Sequence, residues 1–330
     1  MPEEKPDAKE IQEYLATLKK ARWLGLARRW WPNYLFHFTD IQNAVKILVR
    51  GQLLSRAQLE ASGEQFKDAA SPDVIEQTDE RWKDYVRLYF RPRTPTQYRN
   101  EGLRPKSKLE LGGAHCPVPI YLLFDSKEVL CRQDTLFSPG NLAAGAEPVG
   151  DAKGLKQIRF KQVYHDVWLY PDERSTIIFR RHAEVIVPQR LNLNSLRQIC
   201  CRSEAEYQTL LYLLPPLTRR RWIQNIIPGA KLNLFFKRWT FVEAVELNAK
   251  QVMFRFNKGT STPGPFHARV EITEIQANDR YLWEDREYSA NDVLTLPLHK
   301  LRHPEDYTVK LFLDMHLAYA GRYQEESLPS

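Results

Sequence analysis

YLFHFTDIQNAVKILVRG, residues 34–51, reads as a strand, a polar turn, a short helix and a stop. The aromatic-rich run 34–38 favours a pleated, half-buried strand. Asp40 is placed to cap the next helix, predicted over 41–49, by accepting from its free first-turn amides. Gly51 suits the left-handed position that commonly ends a helix. Alternate strand residues point the same way, so His37 and Thr39 face one side together. Both can hydrogen-bond a ribose hydroxyl or a carboxamide. The same pattern also describes a buried histidine satisfied by backbone.

Upstream, residues 9–29 predict a helix. Ile11, Leu15, Leu18, Trp23, Leu24 and Leu26 form an imperfect apolar stripe among Lys19, Lys20, Arg22, Arg28 and Arg29. Downstream, 52–82 is mixed and polar and includes a loop. VRLYF (86–90) predicts a strand that runs into RPRTP (91–95), where two prolines end regular pairing. YLLF (121–124) predicts a buried strand, 140–156 a loop rich in Gly and Ala, and 176–187 a further strand. Residues 192–214 alternate polar caps with apolar helix signals. Pro215-Pro216 marks a change of unit. Beyond it, period-two segments at 251–256, 268–275 and 308–313, separated by turns, predict a small β domain. The reading is therefore α+β in three parts: a helical extension (1–33), a mixed domain (34–215) and a β-rich domain (225–330). The tail 325–330 is expected to be disordered.

The chain has 330 residues, 43% hydrophobic and 27% charged, enough apolar material for a packed core. Its longest apolar stretches, near 118–124 and 210–214, are too short to span a bilayer. MPEEKPDAKE at the start is acidic and polar and has neither the basic start nor the apolar run of a secretory signal. The four cysteines form no C-x-x-C pair, and no His/Cys cluster has zinc spacing. These features predict a reduced, cytoplasmic protein with no structural metal and no membrane attachment.

The net charge of +7 is compatible with a polyanionic partner, and the distribution of charge says more. Residues 207–242 contain no Asp or Glu. They hold Arg219, Arg220, Arg221, Lys231, Lys237 and Arg238, interleaved with Trp222, Phe235, Phe236 and Trp239. Cations neutralise phosphate and aromatic faces stack bases. The same composition also fits core aromatics with a solvated cationic rim. Arg87, Arg91, Arg93, Arg99 and Arg104 form a second cluster against Glu101 alone.

Two segments could carry chemistry. An arginine at the end of 86–90, stiffened by Pro92 and Pro95, can clamp a pyrophosphate through its fixed guanidinium fork. In FRRHAEVIVP (179–188), strand alternation puts Ile178, Arg180, His182 and Glu184 on one face. A glutamate leading into Val-Ile-Val should be partly buried, which demands a partner. One outcome is a buried ion pair to an arginine. The other is catalytic. Cleaving the bond between nicotinamide and ribose builds oxocarbenium character resembling that of glycoside hydrolysis. A positioned carboxylate stabilises that charge and can hold ribose hydroxyls or take a proton from an acceptor. The pyridinium leaving group is already cationic, so no acid is required.

The order of these pieces resembles the DarT family of DNA-modifying ADP-ribosyltransferase toxins. The resemblance rests on residues 34–51, on RLYFRPRTPTQY (87–98), on FSPGNLA (137–143), and on Tyr164-His165-Asp166 followed by RHAEVIVP (181–188). It implies an ADP-ribosyltransferase-like split β-sheet core with flanking helices and NAD as the donor substrate. It also implies a base in single-stranded DNA as acceptor, and a toxin or anti-phage effector reversed by a macrodomain antitoxin. Under it, His37 and Thr39 hold the nicotinamide ribose and carboxamide end, and Asn43 and Gly51 lie along the NAD cleft. Arg93 is the functional arginine, with Arg91 as the alternative, and Glu184 is the catalytic carboxylate. The loop 165–176 presents the acceptor. Tyr164, His165, Arg180 and His182 are expected to face nucleic acid, joined by Arg219, Arg220, Arg221, Lys237 and Arg238. Three features depart from the family's pattern: a long segment between Gly51 and Arg87, Thr96 where methionine is common, and the β region beyond about 225. Transfer to RNA or protein, and a nucleic-acid-binding module with a degenerate NAD cleft, remain the alternative readings.

Overall fold

The computed structural model of the chain describes residues 3–64, 66, 79–109, 115–228 and 232–325. Its first half is organised by the strands β1 (Tyr34–Asp40), β2 (Gln52–Leu54), β3 (Tyr85–Tyr89), β4 (Pro119–Asp125), β5 (Leu136–Phe137), β6 (Glu184–Pro188), β7 (Arg190–Asn192), β8 (Leu196–Cys201) and β9 (Ile226–Pro228). Seven of these form one sheet in the order β5-β6-β3-β1-β4-β8-β9, and β2 pairs separately with β7. All neighbours in the large sheet are antiparallel except β8 and β9. Because β9 extends this sheet to residue 228, the first unit runs past Pro215-Pro216.

The sheet is built around β4, which is buried on both faces and so reads as a continuous apolar run rather than an alternating one. Leu35, Leu88, Leu122, Val185 and Val187 share one core with Ile11, Leu15 and Leu18 of the helix Ala8–Lys20. That helix is shorter than the sequence predicts. After Lys20 the chain makes two tight turns around Gly25, at φ 70°, and Leu26 is left exposed. The helix Ile41–Arg50 follows β1 directly. Asp40 accepts from the Gln42 amide, and Gly51 closes the helix at φ 79°. Ile41, Ala44, Ile47 and Leu48 supply its buried stripe.

The strand predicted over 176–187 divides in two. Residues Arg174–Arg181 are helical, and β6 begins only at Glu184. The alternation that placed Ile178, Arg180 and His182 on the face of Glu184 therefore does not apply. The β-branched run Thr176-Ile177-Ile178 favours a strand locally, and tertiary contacts override it. Phe179 lies across Gly140 so closely that a Cβ there would sit 2.2 Å from the ring, and the Asn141 amide donates to the Phe179 carbonyl at 3.1 Å.

The C-terminal half comprises β10 (Val242–Leu247), β11 (Gln251–Phe256), β12 (Phe266–Glu274), β13 (Arg280–Tyr288), β14 (Val293–Pro297), β15 (Asp306–Leu313) and β16 (His316–Gln324). They form two antiparallel sheets, β10-β11-β14 and β13-β12-β15-β16. Burial alternates strictly along β12, as expected when one face is core and the other is wet. This unit has its own core, which includes Ala205 of the helix Glu204–Leu213. Tyr319 donates to Gln208 at 3.1 Å, and the Ala320 amide donates to Thr209 at 3.2 Å, fixing β16 to the same helix. Among the described residues no helix is long and apolar enough to cross a membrane. The expected disordered tail lies mostly outside the described residues, as does Lys231.

Gly140→Ala is expected to destabilise the protein by about 1–2 kcal/mol, because the added methyl must displace the Phe179 ring from a packed site. A denaturant midpoint equal to that of the parent would contradict this account.

Candidate active site

A cleft of about 240 Å³ opens where β1 and β3 meet the helix Ile41–Arg50. His37 and Thr39 of β1, Arg87 and Tyr89 of β3, and Asn43, Lys46 and Arg50 of the helix line it, with Thr94, Thr96 and Gln97 on a further wall. Strand alternation puts His37 and Thr39 on one face of β1 and Arg87 and Tyr89 on one face of β3; the two strands pair at Phe36 and Tyr89, and all four residues reach the cleft from this junction. A larger concavity of about 500 Å³ lies between the helix Ala8–Lys20 and residues 159–162. It holds none of the candidate residues and no carboxylate, so the smaller cleft is the candidate site.

His37 is half-buried, and its Nδ1 lies 3.1 Å from the Arg87 carbonyl. A carbonyl can only accept, so Nδ1 carries the hydrogen in this geometry and Nε2 is left as an acceptor. Burial lowers the His37 pKa and holds the ring neutral. Asn43 donates to the Thr39 hydroxyl at 3.3 Å, joining the first helical turn to β1. Gly51 ends that helix rather than lining the cleft; its neighbours Arg50 and Leu53 do so.

Glu184 is the first residue of β6 and pairs in register with Tyr89. It is 2% exposed and sits behind the Arg87 and Tyr89 wall of the cleft. Arg87 Nη1 lies 3.6 Å from Glu184 Oε1, while Oε2 is buried without a directional hydrogen bond. Burial pushes the Glu184 carboxyl up. The Arg87 guanidinium, the Tyr89 hydroxyl and the Leu142 amide oppose it. The segment 137–141 holds the glutamate's backbone. The Ser138 amide donates to the Glu184 carbonyl at 2.8 Å, and the Glu184 amide donates to the Ser138 hydroxyl at 3.2 Å. From the sequence Arg87 stands out only as one of a cluster of arginines and Tyr89 not at all, although the alternation of VRLYF puts both on one face.

The two candidate arginines separate clearly. Arg91 is 1% exposed. It donates to the carbonyls of Pro92, Val163 and His165 and to Asp166 Oδ1 at 2.7 Å. Burial pulls its pKa down to about 9, still well above neutrality, so it remains a cation. With its guanidinium committed to these acceptors, Arg91 is not placed to clamp a pyrophosphate. Arg93 adopts φ 57° and keeps part of its side chain exposed. It meets Asp166 Oδ2 at 3.0 Å and stacks over Phe236 at 4.7 Å.

The residues expected to face nucleic acid are scattered. Tyr164 is 1% exposed and packs against Trp23, Trp31 and Phe160, which leaves no ring face for a base. His165 Nδ1 accepts from the Arg181 guanidinium at 2.8 Å. Arg180 donates to the Pro139 carbonyl at 2.9 Å. His182 bridges the Ile178 carbonyl and the Thr96 hydroxyl, at 3.0 and 3.1 Å, so it ties the helix Arg174–Arg181 to the cleft wall. Arg219, Arg220 and Arg221 are exposed on the helix Pro216–Trp222, which packs against the helix Ile41–Arg50. Lys237 is exposed and Arg238 half-buried beside Tyr98.

The family model described as "ssDNA thymidine ADP-ribosyltransferase, DarT" matches residues 36–232. The chain belongs to the DarT family. It is an NAD-dependent ADP-ribosyltransferase that acts on single-stranded DNA. The DarT match contains every residue of the cleft and ends just after β9. Among solved structures, the chain is similar to Thermus sp. 2.9 DarT in complex with ADP-ribosylated ssDNA, at 19% identity, TM-score 0.48, 62% of this chain and 97% of that one. The same enzyme in complex with NAD+ aligns at 19% identity, TM-score 0.45, 62% and 98%. Thermosipho africanus DarTG in complex with ADP-ribose aligns at 18% identity, TM-score 0.48, 66% and 53%. No curated protein matches the chain.

Burial depresses the His182 pKa to about 4 from its ordinary 6.5. Between those values the unfolded chain binds a proton that the folded chain does not. His182 therefore contributes stability above pH 6.5 that is lost as the pH falls towards 4. His182→Gln should flatten that part of the stability profile measured by urea melts between pH 7 and 4. An unchanged slope would show that His182 titrates normally.

Proposed function

We propose that this DarT-family enzyme transfers ADP-ribose from NAD to thymidine in single-stranded DNA, with Glu184 as the catalytic carboxylate. The observation that carries the assignment is the buried Glu184 Oε2 at the head of β6, directly behind a cleft lined by His37, Thr39, Arg87 and Tyr89. This set fits the nicotinamide riboside end of NAD. His37 Nε2 can accept from a ribose hydroxyl. The Thr39 and Asn43 polar groups suit the carboxamide. Arg93, with Arg87 nearer the carboxylate, supplies positive charge for the pyrophosphate.

In the reaction the bond from ribose C1′ to the nicotinamide nitrogen breaks, and its electron pair leaves with neutral nicotinamide. The base attacks C1′ and loses one proton. Glu184 stabilises the developing oxocarbenium charge, and its raised pKa makes it a more effective proton acceptor than an exposed carboxylate. The loop between Asp166 and the helix Arg174–Arg181 exposes Val167, Trp168 and Tyr170 at 66, 80 and 64%. Large exposed rings on a loop whose base, Asp166, is paired with Arg93 suit an unpaired base, and unpaired bases spare the enzyme the cost of unstacking a duplex.

The toxin role, the cytoplasmic setting and an antitoxin of the macrodomain type belong to the same proposal, supported by the family. So does division into an N-terminal extension, a catalytic domain and a β-rich accessory unit. The sheet contacts support placing the second boundary near 230 rather than 215.

Mass spectrometry of a thymidine-containing oligonucleotide after incubation with NAD should show addition of one ADP-ribose. Label on protein or RNA alone would overturn the acceptor. Glu184→Gln should reduce the transfer rate by at least about 100-fold, the scale of losing one electrostatic stabiliser. Trp168→Ala should raise the KM for the oligonucleotide while leaving the KM for NAD unchanged.

A further inference from the structure

Outside the cleft, the turn after β3 and the segment leading into β10 meet in a ladder of cations and rings. Arg93 lies over the Phe236 ring at 4.7 Å. Phe236 meets Tyr98 edge-on at 5.1 Å. Arg238 then covers Tyr98 at 4.7 Å and Trp239 at 4.3 Å. Tyr98 is 45% exposed, Phe236 is half-buried, and Lys237 and Arg99 stand in solvent beside them. Neither 92–100 nor 232–242 contains an acidic residue.

The ladder is rigid because one carboxylate holds both halves. Glu101 is 1% exposed and accepts the backbone amides of Phe236 and Lys237, each at 2.8 Å. It also accepts from Gln97 at 2.8 Å. Gln97 in turn accepts from the Tyr121 hydroxyl and donates to the Leu234 carbonyl at 3.0 Å, while the Arg93 amide donates to Tyr121. The charge of Glu101 is thus spent on backbone amides and on the buried Arg202 at 3.6 Å; Arg93 is paired with Asp166 at 3.0 Å, whereas among the described residues Arg99, Lys237 and Arg238 meet no carboxylate. Lys237 holds φ 55°, a conformation that turns its side chain out at the point where the two amides converge on Glu101.

The geometry points to a binding site for unpaired nucleotides on this ladder, continuous with the cleft through Thr94 and Thr96. Bases stack on Tyr98 and Phe236, while Lys237, Arg238 and Arg99 neutralise their phosphates. Accessible rings among cations are the arrangement that holds single strands without reading their sequence. Phe236, Lys237 and Arg238 lie beyond the family's 36–232 match, so the β-rich half contributes part of the DNA surface directly. This inference rests on DNA as the acceptor and extends it to nucleotides flanking the modified base.

Fluorescence anisotropy with a labelled thymidine-containing single strand, using the full chain, tests it. Tyr98→Leu with Phe236→Leu keeps the apolar contact and removes both π faces. The pair should weaken binding at least 10-fold, with the affinity for NAD and the thermal midpoint reporting an intact fold. Lys237→Gln should lower the slope of log affinity against log salt by about 0.7, the value for one phosphate contact on a single strand. A duplex of the same sequence should bind at least 10-fold more weakly than the single strand. Single-strand affinity within twofold of the parent for the Leu pair, together with an unchanged salt slope for Lys237→Gln, would overturn the site. Absence of ADP-ribose on the oligonucleotide with the parent enzyme would instead overturn the acceptor, since the binding measurement does not depend on transfer.

Discussion

A guanidinium stays charged at any pH the protein meets, so Arg91 could enter the core only by bringing acceptors with it. Those acceptors are the carbonyls of Pro92, Val163 and His165 and one oxygen of Asp166. The other oxygen of Asp166 takes Arg93. Through this shared carboxylate, the end of β3 is locked to the loop that precedes the helix Arg174–Arg181. Removing one member of such a buried set leaves an uncompensated charge, which typically costs about 3–5 kcal/mol. The clamp thus fixes three things together: the position of β3, the base of the loop that follows Asp166, and the direction in which Arg93 leaves the core.

Glu184 depends on the same frame from the other side. Its carboxylate sits where water cannot solvate it, and the ion pair with Arg87 at 3.6 Å is loose. A tighter, fully hydrogen-bonded pair would hold the charge too well, because an anion saturated by donors has little left to offer a developing cation. Glu184 Oε2 is buried without a directional hydrogen bond, and burial pushes its carboxyl up. Ser138 and Gly140 allow this. Ser138 fixes the glutamate's backbone on both sides, and Gly140 lets Phe179 close over the segment, so the side chain is positioned without being neutralised.

Local chemistry made much of the frame legible. Asp40 and Gly51 bracket their helix as read, and the pairing of His37 with Thr39 follows from strand period alone. What misled was the run Thr176-Ile-Ile-Phe, whose β-branched residues favour a strand until Phe179 packs over Gly140, a contact between positions 39 residues apart that no local pattern records. Arg91 and Arg93 were indistinguishable for the same reason. Both follow β3, and only the third dimension shows that one faces Val163 and the other Phe236. Tyr164 carried no local sign that it would be enclosed by Trp23 and Trp31. Pro215-Pro216 read as a boundary because prolines do interrupt sheets, but β9 returns to the same sheet only ten residues later.

The β-rich half is joined to the catalytic sheet by polar contacts that would be costly in isolation. Arg202, itself fully buried, pairs with Glu206, reaches Glu101 at 3.6 Å and lies 4.2 Å over Phe241. Glu101 then binds the amides that open the C-terminal unit. Apolar packing alone would do little to prevent a slip of one residue along 234–242 that puts Phe236 in the place of Phe235 and Val242 in that of Phe241. Two amides converging on one buried carboxylate cannot slip without leaving it unpaired. Buried polar groups of this kind fix register more than they add stability. Here the register they fix is the one that puts Phe236 beneath Arg93 and Arg238 over Tyr98, which makes the surface beside the cleft a consequence of the interface beneath it.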